Sequence, residues 1–177
     1  GYGIRHIPAP GERNYRIYES RAGKLWSVYP RGLKEFANDE SIRHPIADIP
    51  MEGEPSLAPS TRQYPLLPTE QDRVLLLLPD RLIEYRAIPR TLQVLRWARD
   101  TKLGRFIDMV PAQDGGVWVT GAAGLAKLPG PLRQIHAATP WSEHLVPPAS
   151  GLLDLQRPFE DDSGGLTTLG ESAALKR

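Results

Sequence analysis

The stretch Asp114-Gly115-Gly116-Val117-Trp118-Val119-Thr120-Gly121-Ala122-Ala123-Gly124-Leu125-Ala126-Lys127-Leu128 reads as a turn, an apolar strand, a second turn and another apolar strand. It has a counterpart earlier in the chain, Gly23-Lys24-Leu25-Trp26 followed by Gly32-Leu33-Lys34-Glu35-Phe36. In both, Trp precedes the second Gly by six positions, a spacing that two unrelated hairpins would rarely share. Position matching adds two copies, one opening at Asp72 with Leu75 in the Trp slot and one opening at Gly164 with Thr167 there. Successive Trp slots are then 49, 43 and 49 residues apart. A period of about 45 residues that carries several short strands is the signature of propeller blades.

Each copy predicts strands A, B and C and a less regular segment that supplies D. In the third these are Phe106 to Val110, Val117 to Thr120 and Leu125 to Leu128, with D expected at Leu132 to Ile135. The first gives Tyr15 to Glu19, Leu25 to Tyr29 and Leu33 to Phe36, with D near Ile42. The second gives Tyr64 to Leu67, Val74 to Leu78, Leu82 to Tyr85 and Leu92 to Leu95. The fourth begins with Leu153 to Gln156 and Leu166 to Leu169 and ends about where strand C should form. Glycine reaches positive φ without a Cβ clash and Asp tolerates it, so Asp114-Gly115-Gly116 and Asp162-Ser163-Gly164-Gly165 favour tight hairpins. Proline-rich stretches at 45–68 and 129–148 read as surface connections, because proline cannot donate to a central ladder. The expected fold is all-β: a β-propeller fragment over 1–177, an open arc of about three complete four-stranded antiparallel blades plus a truncated fourth, with repeats near 14–63, 64–104, 105–150 and 151–177.

Composition limits the function classes. The 177 residues are 40% hydrophobic and 24% charged, enough for a core and a solvated surface. Net charge is +1 and no Lys/Arg block forms a phosphate-binding stripe, so nucleic acid is not an expected partner of this segment. The absence of cysteine removes disulfides, thiolate metal sites and cysteine nucleophiles together. The longest apolar run, Val74 to Leu78, is far short of the roughly 18 residues of a membrane span, so no membrane insertion by this segment is expected. The chain starts at Gly1 rather than Met and stops inside a repeat, and so reads as a piece of a longer protein.

Few residues carry a chemical signal. Trp26 and Trp118 share a repeat position, which favours packing between neighbouring blades over ligand stacking. Gly23, Gly32, Gly115, Gly124 and Gly164 complete the structural set. Trp97 and Trp141 fall outside the Trp slot and are, with His144, the candidate ligand-binding residues, although Leu92, Val94, Leu95 and Trp97 alternate too irregularly to give Trp97 a face. Glu160-Asp161-Asp162-Ser163-Gly164 gathers carboxylates in the manner of a calcium loop but lacks the spaced ligand series, and the same slot elsewhere is an ordinary turn. His6, His44, His136 and His144 have no zinc spacing, and the adjacent Ser142-Glu143-His144 cannot form a triad, which is assembled across space. Gly121-Ala122-Ala123-Gly124 joins two strands rather than opening a helix, so it is no phosphate loop. No catalytic residue, metal or cofactor is expected.

The phrase from Asp114 to Leu125 resembles the two-component regulator propeller repeat, whose pattern is roughly D-x-x-G-x-[LIV]-W-[LIV]-[GS]-T-x-x-G-[LIV]. The first copy fits it at Gly23-Lys24-Leu25-Trp26 and Gly32-Leu33. The second departs at Asp72, Leu75 and Arg81, the fourth at Thr167 and Ala173, and Thr120 followed by Gly121 alters the usual Gly/Ser-Thr order. That family forms propeller sensor regions outside the membrane in bacterial signalling proteins such as hybrid histidine kinases. The resemblance therefore implies a periplasmic or extracytoplasmic, noncatalytic sensor of a carbohydrate-derived or other small ligand. Its implied partners are the remaining blades and signalling domains of the same chain, and a second copy in a homodimer. Streptogramin-lyase-like propellers use a similar G-x-[LIV]-W phrase, which makes a propeller enzyme the alternative, with a protein-interaction scaffold as a third.

Overall fold

Gly23, Gly115 and Gly164 adopt φ of 77°, 82° and 82°, the left-handed region that a side chain resists. The same two hydrogen bonds close each of their turns. Gly23 N–H donates to Ser20 O and Ser20 N–H to Lys24 O, both at 2.9 Å. Gly115 and Ala112 repeat this with Ala112 O and Gly116 O, as do Gly164 and Asp161 with Asp161 O and Gly165 O. A three-residue loop that ends on a left-handed glycine is a favoured hairpin connection, so one piece of local chemistry is used three times. The structure, a computed structural model, describes residues 17–20, 23–29, 32–37, 40–45, 64–70, 73–147, 150, 152–162 and 164–172. The sequence positions His6, Tyr15, Asp72, Ser163 and Ala173 discussed above lie outside them.

The chain forms two units, Gly1–Gln63 and Tyr64–Arg177. In the first, β1 (Ile17–Glu19), β2 (Leu25–Tyr29), β3 (Gly32–Ala37) and β4 (Glu40–Pro45) form one antiparallel sheet in sequential order. Trp26, the second residue of β2, is fully buried. The second unit contains two further four-stranded antiparallel meanders. One is β5 (Leu66–Glu70), β6 (Arg73–Leu77), β7 (Arg81–Arg86) and β8 (Thr91–Trp97), and the other β9 (Phe106–Pro111), β10 (Val117–Gly121), β11 (Gly124–Leu128) and β12 (Ser142–Leu145). The hairpin of β13 (Leu152–Glu160) and β14 (Leu166–Ser172) follows. The described residues contain no α-helix, and short 3-10 turns lie at Ala98–Asp100 and Leu132–Gln134. The expected three four-stranded blades and partial fourth are therefore present as sheets.

In the second unit the blades stack face to face. Leu75, Leu77, Leu82 and Leu95 of one sheet meet Phe106, Met109, Val117, Val119, Ala126 and Leu128 of the next in a single apolar core. Burying each such side chain contributes about 1.5–3 kcal/mol. All five residues of β10 are buried, because its other face, which carries Trp118 and Thr120, packs toward β13. A strand covered on both sides reads as a continuous apolar run rather than an alternating one.

Two details differ from expectation. The last strand of the third blade is Ser142–Leu145, whereas Leu132 to Ile135, expected to be that strand, forms a 3-10 turn and its exit. Pro129, Pro131 and Pro140 bracket this segment, and its carbonyls serve another partner: Arg73 donates to both Leu132 O and Ile135 O. Ile135 is buried in the core between the two sheets, so the segment plugs the blade junction instead of extending a blade. The irregular alternation around Trp97 has an equally local cause. Leu82 pairs with Arg96 but Ile83 with Val94, and this bulge leaves Leu95 as the extra residue.

Candidate functional site

The register of the third blade sets one row of side chains on the face that meets β13. Trp118 pairs across to Lys127 and Lys127 to Ser142, while Thr120 pairs to Leu125 and Leu125 to His144. Side chains two apart on a strand share a face, so Trp118, Lys127, Ser142 and His144 point the same way. Beside them lies a cleft of about 370 Å³ lined by Asp114, Lys127, Pro129, Pro140, Ser142 and His144.

Lys127 is the hub of this site. Its Nζ lies 3.1 Å from Asp114 Oδ2, 3.6 Å from Glu160 Oε1 and 4.9 Å from the centre of the Trp118 ring. A cation over an indole face is attracted by the ring quadrupole, so all three neighbours favour the charge. Glu160, near the end of β13, also accepts from the Gln113 amide at 2.8 Å and from Trp118 Nε1 at 3.1 Å. Gln113 Nε2 donates to Asp161 O at 2.7 Å. His144 is exposed, with its ring 6.3 Å from that of Trp118 and tilted by 49°.

Both carboxylates are held below their usual range. For Asp114 the main cause is the Gly116 amide, which donates to Oδ1, with Lys127 adding a hydrogen bond and its charge. For Glu160 it is the Gln113 amide, followed, against a smaller opposing effect of burial, by the Trp118 indole and Lys127. Such groups stay ionised and accept hydrogen bonds. A general acid or base instead works best with a pKa near the operating pH.

The sequence-predicted candidates do not converge. His144 lines the cleft. Trp141 is half-buried, stacks on Phe106 with centroids 5.6 Å apart, and carries the Arg96 guanidinium 5.5 Å over its ring. Trp97 is also half-buried, at the end of β8, where the guanidinium groups of Arg81 and Arg99 lie 5.2 Å and 4.7 Å from its ring centre. The segment read as an ordinary turn rather than a calcium loop is one: Asp161 Oδ1 accepts the Gly165 amide at 2.8 Å, and Glu160 is the clasp just described.

In the sequence Asp114 and Glu160 register only as turn carboxylates and Lys127 only as a strand residue, but a signal for Lys127 exists. Nine residues after each Trp slot stands a charge, Glu35, Glu84, Lys127 and Lys176. In the first two copies a base two residues before the slot answers the acid. Lys24 Nζ lies 2.8 Å from Glu35, and Arg73 Nε donates to Glu84 at 2.7 Å. The third copy has Gly116 where the base would be, and a Cβ there would sit 2.2 Å from Leu128 O. With the slot closed and the sign at position 127 reversed, the charge finds one partner in its own turn and another on the next blade.

No protein-family model matches the chain, and no curated protein matches its sequence. Among solved structures it is similar to virginiamycin B lyase from Staphylococcus aureus, with a TM-score of 0.61 and 9% identity over 92% of this chain and 50% of that one. A streptogramin B lyase gives 0.61 and 12% over 93% and 50%. The extracellular domain of a putative one-component system from B. thetaiotaomicron gives 0.56 and 12% over 94% and 21%. The chain spans about half the length of the two lyases. At these identities the likeness establishes the propeller fold, in agreement with the repeat. Function does not follow from fold. Among the described residues, no helix is long and apolar enough to cross a membrane.

Proposed function

We propose that this chain is a noncatalytic, extracytoplasmic segment of a ligand-sensing propeller in a bacterial signalling protein of the two-component type, with blade repeats near 14–63, 64–104, 105–150 and 151–177. The observation that carries this reading is the cleft on the third blade. Its Asp114, Ser142 and His144 offer acceptors and hydroxyl or imidazole donors, Lys127 offers a cation, and Pro129 and Pro140 offer apolar ring faces. That mixture suits a small polyhydroxylated ligand such as a carbohydrate. The depressed carboxylates support binding over proton transfer. Likeness to the extracellular domain of a putative one-component system supports the cellular setting. On this reading the remaining blades and output domains of the same protein, and a second copy of it, are its partners.

Calorimetric titration with a panel of neutral, amino and acidic saccharides tests the proposal. Saturable binding that weakens at least several-fold in His144→Ala is the expected result. The fold similarity to two lyases favours one alternative, a propeller enzyme. Absence of saccharide binding together with consumption of a streptogramin B by the chain would overturn the sensor reading in favour of that enzyme.

A further inference from the structure

The cleft and the blade beyond it share one side chain. Lys127 lines the cleft, and the same Nζ reaches Glu160 on β13. Trp118 makes the same bridge, with cleft-lining His144 beside its ring and Glu160 on its indole N–H. Gln113, adjacent to cleft-lining Asp114, holds Glu160 and Asp161 through its amide and side chain. In the first and second copies the corresponding acids, Glu35 and Glu84, each pair with a base of the same blade, whereas Lys127 reaches an acid of the next.

Resting on the reading that this cleft takes a ligand, we propose that the ligand is coupled to the docking of the β13–β14 hairpin through Lys127. An anionic or strongly accepting group in the cleft competes with Glu160 for the ammonium and loosens the hairpin. The geometry identifies the link that yields. Of the two carboxylates on Nζ, Glu160 is the more distant, at 3.6 Å against 3.1 Å for Asp114. Asp114 belongs to the same blade and is anchored by the Gly116 amide. Glu160 belongs to the hairpin, and what it gives up the hairpin loses. By linkage the effect is reciprocal, so a docked hairpin weakens the cleft's hold on such a group. Coupling of this kind transmits occupancy from one blade to the next without a rearrangement of the cleft itself.

The chain contains no cysteine, which permits a direct test. In Ser142→Cys, one thiol in the cleft reacts selectively with sulfonatoethyl methanethiosulfonate or with its trimethylammonioethyl counterpart, probes of similar size and opposite charge. Hydrogen exchange of the 166–172 amides then reports hairpin docking. The anionic label is expected to speed that exchange roughly threefold or more, in the range of couplings between neighbouring groups. The cationic label is expected to leave it unchanged. In the Glu160→Gln background, exchange should already be faster and should no longer respond to the anionic label. No response to the anionic label, an equal response to both labels, or an undiminished response in Glu160→Gln would each overturn the proposal. Should Ser142→Cys disturb β12, the exposed His144→Cys offers a second attachment point with the same expectations. Because the probes are not the natural ligand, a failed saccharide titration beside a positive label effect counts against the ligand reading alone, and the reverse pattern counts against the coupling alone.

Discussion

At the scale of single residues, the two blade junctions of the second unit rest on different electrostatics. Arg73 and Glu84 are both buried, and the guanidinium donates to the carboxylate and on to Leu132 O and Ile135 O of the next blade. Removing one partner of a buried pair strands the other charge, so Arg73→Met should cost about 3 kcal/mol in urea unfolding. A double replacement of Arg73 and Glu84 by apolar residues should cost less. Burial alone would raise the Glu84 pKa, but hydrogen bonds and charge from Arg73 and Arg86 outweigh it and hold the carboxyl below its usual value. A group depressed in the folded state stabilises fully above its unfolded pKa, about 4.3, and loses that contribution as pH falls through the folded value. The stability gap between the wild-type chain and Glu84→Gln, measured from pH 7 down to pH 3, should therefore narrow at the acid end; a gap that widens there would refute the assignment. Trp118 is 8% exposed and both packs and donates. Trp118→Ala should cost about 3–5 kcal/mol through the cavity it leaves. Trp118→Phe, which keeps most of the packing, should lose closer to the 1 kcal/mol of one hydrogen bond. A near-neutral Trp118→Ala would mean that the indole does not pack.

At the scale of elements, the turns were legible from the chain and some strands were not. Glycine at a left-handed position is dictated by local sterics and leaves its mark at a fixed place in three of the four copies, so Gly23, Gly115 and Gly164 could be found from spacing alone. The final strand of the third blade could not. Leu132 to Ile135 begins and ends on an apolar residue as Leu92 to Leu95 does, and the tertiary role of its carbonyls toward Arg73 shows why it turns away. The true strand, Ser142–Leu145, is polar at three of its four positions and largely exposed, as an outermost strand is allowed to be, and so carries little periodic signal. Two glycines separate conformational from steric need. A Cβ on Gly164 would meet nothing within 4 Å, so Gly164→Ala should cost only the left-handed penalty of about 1–2 kcal/mol. Gly124 opens β11 with His144 O 2.5 Å from where a Cβ would stand. Gly124→Ala must push β12 outward, and thermal melts should show the larger loss there, accompanied by weaker binding in the cleft that Ser142 and His144 line. Equal losses at the two positions would contradict this division.

At the scale of the whole molecule, a repeat protein is held as a series of nearest-neighbour interfaces, and its weakest junction decides where it opens first. The period of the Trp slots made the series legible, but ranking its interfaces required knowing which charges face which blade, information that appears in the chain only as the reversal from Glu35 and Glu84 to Lys127. Within the second unit, the Arg73–Glu84 junction is buried beside a continuous apolar core. The cross-blade pair of Lys127 and Glu160 is more open on its cationic side, at 23% and 9% exposed against 9% and 6% for Arg73 and Glu84. Salt screens exposed charges and reaches buried pairs much less, with a Debye length falling from about 10 Å at 0.1 M to about 3 Å at 1 M. Hydrogen exchange followed across that range should show protection falling in β14 while β6 and β7 hold theirs. The size of the effect should be modest, since exposed pairs contribute about 1 kcal/mol or less and the apolar contacts of buried Leu155 persist in salt. Uniform loss across all three strands would mean that the unit opens as one cooperative body. Loss confined to β14 would locate the flexible junction at the blade that a ligand in the third-blade cleft is placed to influence.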